Sequence, residues 1–306
     1  MFCKTAGASK VYAVEASPMA VHLKSIISKN KADDVIEVIH KKVEDVELQE
    51  KVDIIVSEWM GFYLVHESML DSVLVARDKH LKDDGLMLPS HAQIFAAPCT
   101  LHELKKDTID YWHDVYGYDM SPLSIESLKR SKPEIMIIQP DQLLSVPTEV
   151  ALFDLKYVTL DELHKISSRK FISSNKTGEY HGIAIWFDVW FNSYEENWKN
   201  SILSTGPQAE PTHWKQTVIP LFGSTGVEEA IEVDEIIGWE ILLRKVEGDK
   251  NDRQYAIQVE VLDPATTTHP IPCECQSAKC TLIAKLMEQE EIALKNSITY
   301  DEEVDE

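Results

Sequence analysis

Three short apolar runs in the first sixty residues, Lys10–Ala16, Ile36–His40 and VDIIVS (Val52–Ser57), constrain this chain more than anything else in it. Between the first two, Met19–Lys29 carries apolar residues at helical spacing, from Met19 and Ala20 through Leu23 to Ile26 and Ile27, and Met69–His80 reads as a further helix. Strand and helix signals alternating at this spacing call for an open parallel sheet covered by helices. VDIIVS has the near-continuous apolar character of a strand buried on both faces. DDGLMLPSHAQIFAAP then reads as a turn followed by one or two more strands.

The pattern changes near residue 98, which predicts a first domain over residues 1–90 and a second over 91–280. Glu103–Tyr118 reads as a helix rich in aromatics. From Glu134 onward, short β-type runs separated by turns dominate: IMIIQP, EVALFDL, HGIAIWFDVWF, KQTVIPLF, IIGWEILLRKV and QYAIQVEVL. Such runs predict an antiparallel barrel or sandwich. Residues 281–306 read as a short helical segment running into an acidic tail, YDEEVDE.

Composition narrows the function. With 52 acidic against 30 basic residues the net charge is −22, which disfavours direct nucleic-acid binding, since phosphates reward Lys and Arg. An acidic surface attracts basic, Arg- or Lys-rich proteins instead. No run is long and apolar enough for a membrane span, so no membrane role is expected. Five scattered cysteines argue against a secreted disulfide framework and for a nuclear or cytoplasmic setting.

Four acids stand where a parallel sheet places its ligands, at the carboxyl ends of strands. Glu15 closes the first run, where a carboxylate can accept both hydroxyls of a ribose, and Glu44 follows the second, within reach of an adenine amino group. Either acid also reads as a solvated loop residue. In SEWMGFYLVHESML, Glu58 and Glu67 are separated by eight apolar, aromatic or neutral residues. Composition alone favours their pointing to water, but two carboxylates in such a loop suit a guanidinium, which stays protonated and offers a planar fork of donors. Gripped twice, it has its charge drawn toward some nitrogens, leaving another able to attack an electrophile. His66, beside Glu67, reads as a residue that packs or caps the loop.

SEWMGFYLVHESML resembles the double-glutamate loop of the protein arginine N-methyltransferases, and PTHWKQTVIPL (Pro211–Leu221) resembles their Thr-His-Trp loop. VYAVEAS, KVEDVEL and VDIIVSEWMG fall at that family's spacing, and the likeness runs to about residue 262. HGIAIWFDVWF, LSTGP and PTHWKQ most resemble its type I, nuclear, histone-modifying branch. The resemblance implies an α/β Rossmann-like methyltransferase domain followed by an antiparallel β-barrel domain with a helical dimerisation arm at about 103–125. It implies methyl transfer from S-adenosylmethionine to arginine guanidinium nitrogens of Arg-rich proteins such as histone tails, giving mono- and asymmetric dimethylation, by a homodimer. Glu15 matches the acid that holds the cofactor ribose and Glu44 the one that holds adenine, with Ser57 and Met69 as further cofactor contacts. Glu58 and Glu67 match the guanidinium clamp, His213 the residue that accepts or relays the proton, and Trp214 the wall of the arginine pocket. The sulfonium is itself the electrophile, so no metal is expected.

In the family a strand and a Gly-rich loop come before the residue matching Glu15, and MFCKTAGASK reads as the helix just after that loop. The sheet is therefore expected to lack its central strand, between 10–16 and 52–57. One reading is an incomplete version of a longer enzyme. The other is a non-catalytic isoform serving as dimerisation partner or binding module. The intact double-glutamate and Thr-His-Trp loops favour the first. In HPIPCECQSAKC, His269, Cys273, Cys275 and Cys280 have gaps of three, one and four residues, unlike the paired knuckles of structural zinc, and read as reduced cysteines near a strand end.

Overall fold

The computed structural model describes residues 1–129, 132–192, 201–222, 230–246 and 253–289. After a one-turn helix α1 (Phe2–Thr5), β1 (Val11–Val14) pairs in parallel with β2 (Ile36–Ile39) across the helix α2 (Met19–Lys29). Ile27, Ala32 and Ile36 form a small core there, with Val11, Leu23 and Val38 packed round it. A second parallel ladder, β3 (Val52–Val56) with β4 (Leu81–Leu88), is crossed by α3 (Met69–His80). Among the described residues no hydrogen-bonded strand joins β1 to β3. VDIIVS is consequently not buried on both faces: Ile54 and Val56 are 50% and 61% exposed, because β3 has a neighbour on one side only. DDG, read as a turn, lies inside β4, whose register on β3 shifts between Val52 and Ile54.

The chain continues through β5 (His91–Cys99), α4 (His102–Thr108), α5 (Ser124–Lys129), β6 (Glu134–Met136), β7 (Thr148–Asp154), α6 (Leu160–His164), β8 (Lys165–Ser173) and β9 (Gly178–Glu179). Then come β10 (Gly182–Phe191), β11 (Ser201–Ser204), β12 (Gln216–Pro220), β13 (Ala230–Ile231), β14 (Ile236–Lys245) and β15 (Tyr255–Leu262). One sheet runs β6-β12-β10-β5-β7 with β11 also on β10; another runs β15-β14-β8; β9 and β13 form a short ladder. Among the described residues these sheets do not close into the expected barrel, because no ladder joins β7 to β8 or β15 to β6. Side chains join them instead: Phe153, Ile185 and Phe187 share one core with Trp239, Ile241 and Leu243.

That core also takes in Trp59, Tyr63, Leu64 and Val65 from the loop after β3, and Leu70 and Leu74 from α3. Polar ties reinforce the join. Arg77 Nη1 donates to the carbonyls of Leu155 and Val158 at 2.9 and 2.7 Å, and Lys245 pairs with Asp71. The double-glutamate loop is thus embedded between the two halves.

The helix read over Glu103–Tyr118 is broken. After α4 the chain makes a 3₁₀ turn at Asp110–His113 and then a tight reversal in which Val115 and Tyr118 exchange backbone hydrogen bonds. Asp114 accepts from Gly117 N at 2.8 Å, and Tyr116 and Gly117 have φ of 55° and 85°. The acid competes with the helix for backbone donors and the glycine accepts the left-handed turn. YDEEVDE lies outside the described residues.

Candidate active site

The strand β3 runs out at Val56, and Ser57 N still bonds Leu88 O at 3.0 Å, so the ladder holds the first residue of the loop. Beyond it the backbone is strained. Tyr63, Leu64, Glu67 and Ser68 all have positive φ, from 43° to 76°, a conformation that non-glycine residues adopt rarely and that clusters at functional sites. What over-determines it is a closed ring: Gly61 N donates to Leu64 O at 2.9 Å and Leu64 N to Gly61 O at 3.0 Å. Buried Trp59, Tyr63, Leu64 and Val65 anchor the ring from below. Tyr63, whose phenol is pushed up to about 12 by burial, keeps its proton and lies 2.9 Å from His66 Nδ1. His66 therefore braces the loop, as its neighbours in sequence led us to expect.

On this frame Glu58 and Glu67 both stand exposed, one at each end. Glu58 Oε1 accepts from Met60 N at 3.2 Å, which aims its carboxylate. The Thr-His-Trp loop meets the same frame from the β half. Trp214 is buried, its Nε1 donates to Met60 O at 2.8 Å, and its ring meets Phe187 edge-on at 5.5 Å. His213 is exposed, its ring centroid 3.8 Å from that of Trp214. One indole hydrogen bond thus brings together motifs 154 residues apart. Trp214→Phe should cost about 1–2 kcal/mol, since it leaves Met60 O unpaired; urea unfolding checks it.

The two remaining acids lie at the carboxyl ends of the first ladder. Glu15 Oε1 accepts from Ser17 N at 2.7 Å, a bond that holds its carboxyl below the ordinary range. Glu44, on a 3₁₀ turn at Val43–Asp45, accepts from Ser72 Oγ at 2.6 Å and is lowered by that bond. Ser72 sits in the first turns of α3, three residues after Met69, so Glu44 is drawn toward the helix that begins at the double-glutamate loop. Ser72 and Arg253, whose Nη1 lies 3.8 Å from Met69 Sδ, were not read from the sequence. Nothing in their spacing points to Glu44 or Met69.

Two parallel ladders with acids at their strand ends, beside a carboxylate loop latched to an antiparallel β half, place the chain's polar groups where α/β folds bind ligands. Residues 90–264 match the arginine methyltransferase oligomerization subdomain, and residues 2–88 match the PRMT5 arginine-N-methyltransferase model. The chain is 39% identical over 284 residues to probable protein arginine N-methyltransferase 6.1 of Oryza sativa subsp. indica, covering 85% of this chain and 73% of that one. It is 38% identical over 266 residues to protein arginine N-methyltransferase 6 of Danio rerio, with the same two coverages. Among solved structures it resembles the Trypanosoma brucei PRMT1 enzyme–prozyme heterotetrameric complex with AdoHcy, at TM-score 0.73 and 30% identity over 88% of this chain and 82% of that one. The chain belongs to the protein arginine N-methyltransferase family, and its activity is S-adenosylmethionine-dependent methylation of arginine.

Proposed function

We propose that Glu58 and Glu67 clamp the substrate guanidinium of Arg-rich proteins such as histone tails, and that the product is asymmetric dimethylarginine. The observation that supports a shared site is the Trp214–Met60 hydrogen bond, which ties the two motif loops together; the asymmetric product rests on the resemblance of those loops to type I enzymes. Glu15 and Glu44 suit the hydroxyl and amino donors of an adenosine group, because each is an ionised acceptor already oriented by a serine. Ser57 and Met69, flanking the loop, complete that side. When bound, S-adenosylmethionine supplies an electrophilic methyl. The protein's part is to orient: two carboxylates draw the guanidinium charge toward the nitrogens they grip, Trp214 walls the pocket, and His213 takes or relays the proton lost by the nucleophilic nitrogen.

The segment after β5 is the proposed dimerisation arm. Tyr116 and Tyr118 are 95% and 70% exposed there, and Leu123 and Ile125 are exposed beside them, the aromatic and aliphatic surface an interface core uses. The acidic surface would steer basic substrates and raise their encounter rate, and a nuclear or cytoplasmic setting fits both. Incubating the chain with labelled S-adenosylmethionine and a Gly/Arg-rich peptide, then hydrolysing the peptide, tests this reading. Asymmetric dimethylarginine supports it. Symmetric product overturns the type I assignment, and no methylated arginine overturns the reading.

A further inference from the structure

His269, Cys273, Cys275 and Cys280 lie after β15, beyond the residues that either family model matches. Their spacing in sequence argued against a zinc knuckle, but the fold supplies what the spacing lacks. His269 is set by two contacts: its ring stacks on Phe171 of β8 at 3.8 Å and 10°, and its Nε2 lies 3.0 Å from Pro264 O. That carbonyl can only accept, so Nε2 carries the proton and the Nδ1 lone pair is free. Nδ1 faces all three sulfurs, 3.5 Å from Cys273 Sγ and 3.4 Å from Cys275 Sγ and Cys280 Sγ. The four ligand atoms all lie within 4.8 Å of one another.

One imidazole lone pair accepts one S–H. Three sulfurs at nearly equal distance from it are not explained by hydrogen bonding. They are the spacing of a coordination shell: with Zn–S about 2.3 Å and Zn–N about 2.0–2.1 Å, a tetrahedron puts each sulfur about 3.6 Å from the nitrogen. The surroundings fit as well. Cys275 is buried against Phe171 and Leu262, with Ile236 beside them. The backbone is tied down at Cys275 O, which accepts from Ser173 Oγ at 2.7 Å, and at Glu274, which bridges Ile172 and pairs with Lys170 at 3.0 Å.

We infer that His269, Cys273, Cys275 and Cys280 bind a structural zinc ion, as a closed tetrahedral Cys₃His site. Thiolates and imidazole select zinc over oxygen-seeking Mg²⁺ or Ca²⁺. Four protein ligands leave no open position, so the site holds structure and performs no chemistry. Binding displaces three thiol protons, and the Pro264 carbonyl orients the histidine as outer partners of metal ligands do. The site joins β8 to the start of the helix at residues 278–289, where Ser277 Oγ caps Cys280 N at 3.3 Å. Zinc would fasten that helix to the β half.

The test is the metal content of the full chain, purified under reducing conditions without a histidine tag. One equivalent of zinc is expected, displaceable by Co²⁺ with the intense visible bands of tetrahedral cobalt and the near-ultraviolet charge transfer of thiolate ligation. Cys280→Ser should reduce zinc to about a tenth of an equivalent or less, whereas Cys3→Ser, on α1, should keep the full equivalent. Because the wild-type stoichiometry is read directly, misfolding of the Cys280 variant does not spoil the test. Wild-type protein with no zinc and no cobalt bands, or a chain whose mass is two hydrogen atoms light because two thiols of the cluster have been oxidised to a disulfide, overturns the proposal.

Discussion

Glu67→Gln will abolish turnover of an Arg-rich peptide, lowering kcat/KM by about a thousandfold or more, the loss expected when a group that stabilises charge in the transition state is removed, while S-adenosylhomocysteine binds as before. The substitution keeps the size of the side chain and its place at the head of α3, with φ of 76° at that residue. It removes one of the two charges facing the guanidinium. An amide offers one acceptor oxygen where the carboxylate offers two, and its NH₂ group repels a guanidinium that can only donate. Glu67 makes no hydrogen bond that braces the Gly61–Leu64 ring, and the acids assigned to the cofactor lie on the other ladder, so neither the frame nor adenosine binding should follow it. Single-turnover kinetics and calorimetric titration read the two effects separately. Turnover within tenfold of wild type would end the clamp assignment.

A different kind of failure is expected from Gly61→Ala. A Cβ there would lie 2.1 Å from His66 O and 2.8 Å from His66 C, backbone atoms that cannot swing aside as a side chain can. The loop must open, and the reciprocal Gly61–Leu64 bonds must break with it. The cost should be about 3 kcal/mol or more, a fall in melting temperature of roughly 5 °C or more for a chain of this size. Methyl transfer should collapse together with stability, because Glu58 and Glu67 are carried by opposite ends of that ring. Gly7→Ala is the comparison: nothing lies within 4 Å of its Cβ, though its φ of 96° makes a side chain strained. It should cost about 1–2 kcal/mol and leave the loop alone. A loss no larger than that of Gly7→Ala would mean that the loop yields around the added carbon and that the close approach at Gly61 costs little.

Periodicity made the antiparallel strands legible: EVALFDL, HGIAIWFDVWF, IIGWEILLRKV and QYAIQVEVL fall on β7, β10, β14 and β15. KISSRKFIS, which forms β8, was not read as a strand, because its inward positions include Ser168, a small polar residue buried under β14. The arm misled for the opposite reason. Its aromatics suggested a helical face, but Asp114 and Gly117 make a turn there, and Tyr116 and Tyr118 stand exposed on it. A barrel was inferred where, among the described residues, the sheets remain open, since strand runs reveal which residues alternate and not which edges pair.

For the site, the acids at strand ends followed from topology, and the loop residues from their resemblance to a family. The braces did not. Ser72 to Glu44, Tyr63 to His66 and Trp214 to Met60 are contacts made by folding, and only the second is close in sequence. The same limit hid the cysteines. Gaps of three, one and four residues say little until Phe171, a hundred residues earlier, turns the histidine toward the sulfurs.

The indole bond from Trp214 to the loop has a consequence for thermodynamics. Two halves that share a core and a latch cannot be perturbed independently. Whatever free energy a bound arginine gives to the order of the loop, the β half receives as added protection, and linkage makes the exchange reciprocal. A second subunit that stiffens the β half would sharpen arginine affinity by the same factor that arginine sharpens the pairing. Were two copies to pair as proposed, their dissociation constant, measured with and without peptide, would be a readout of the active site.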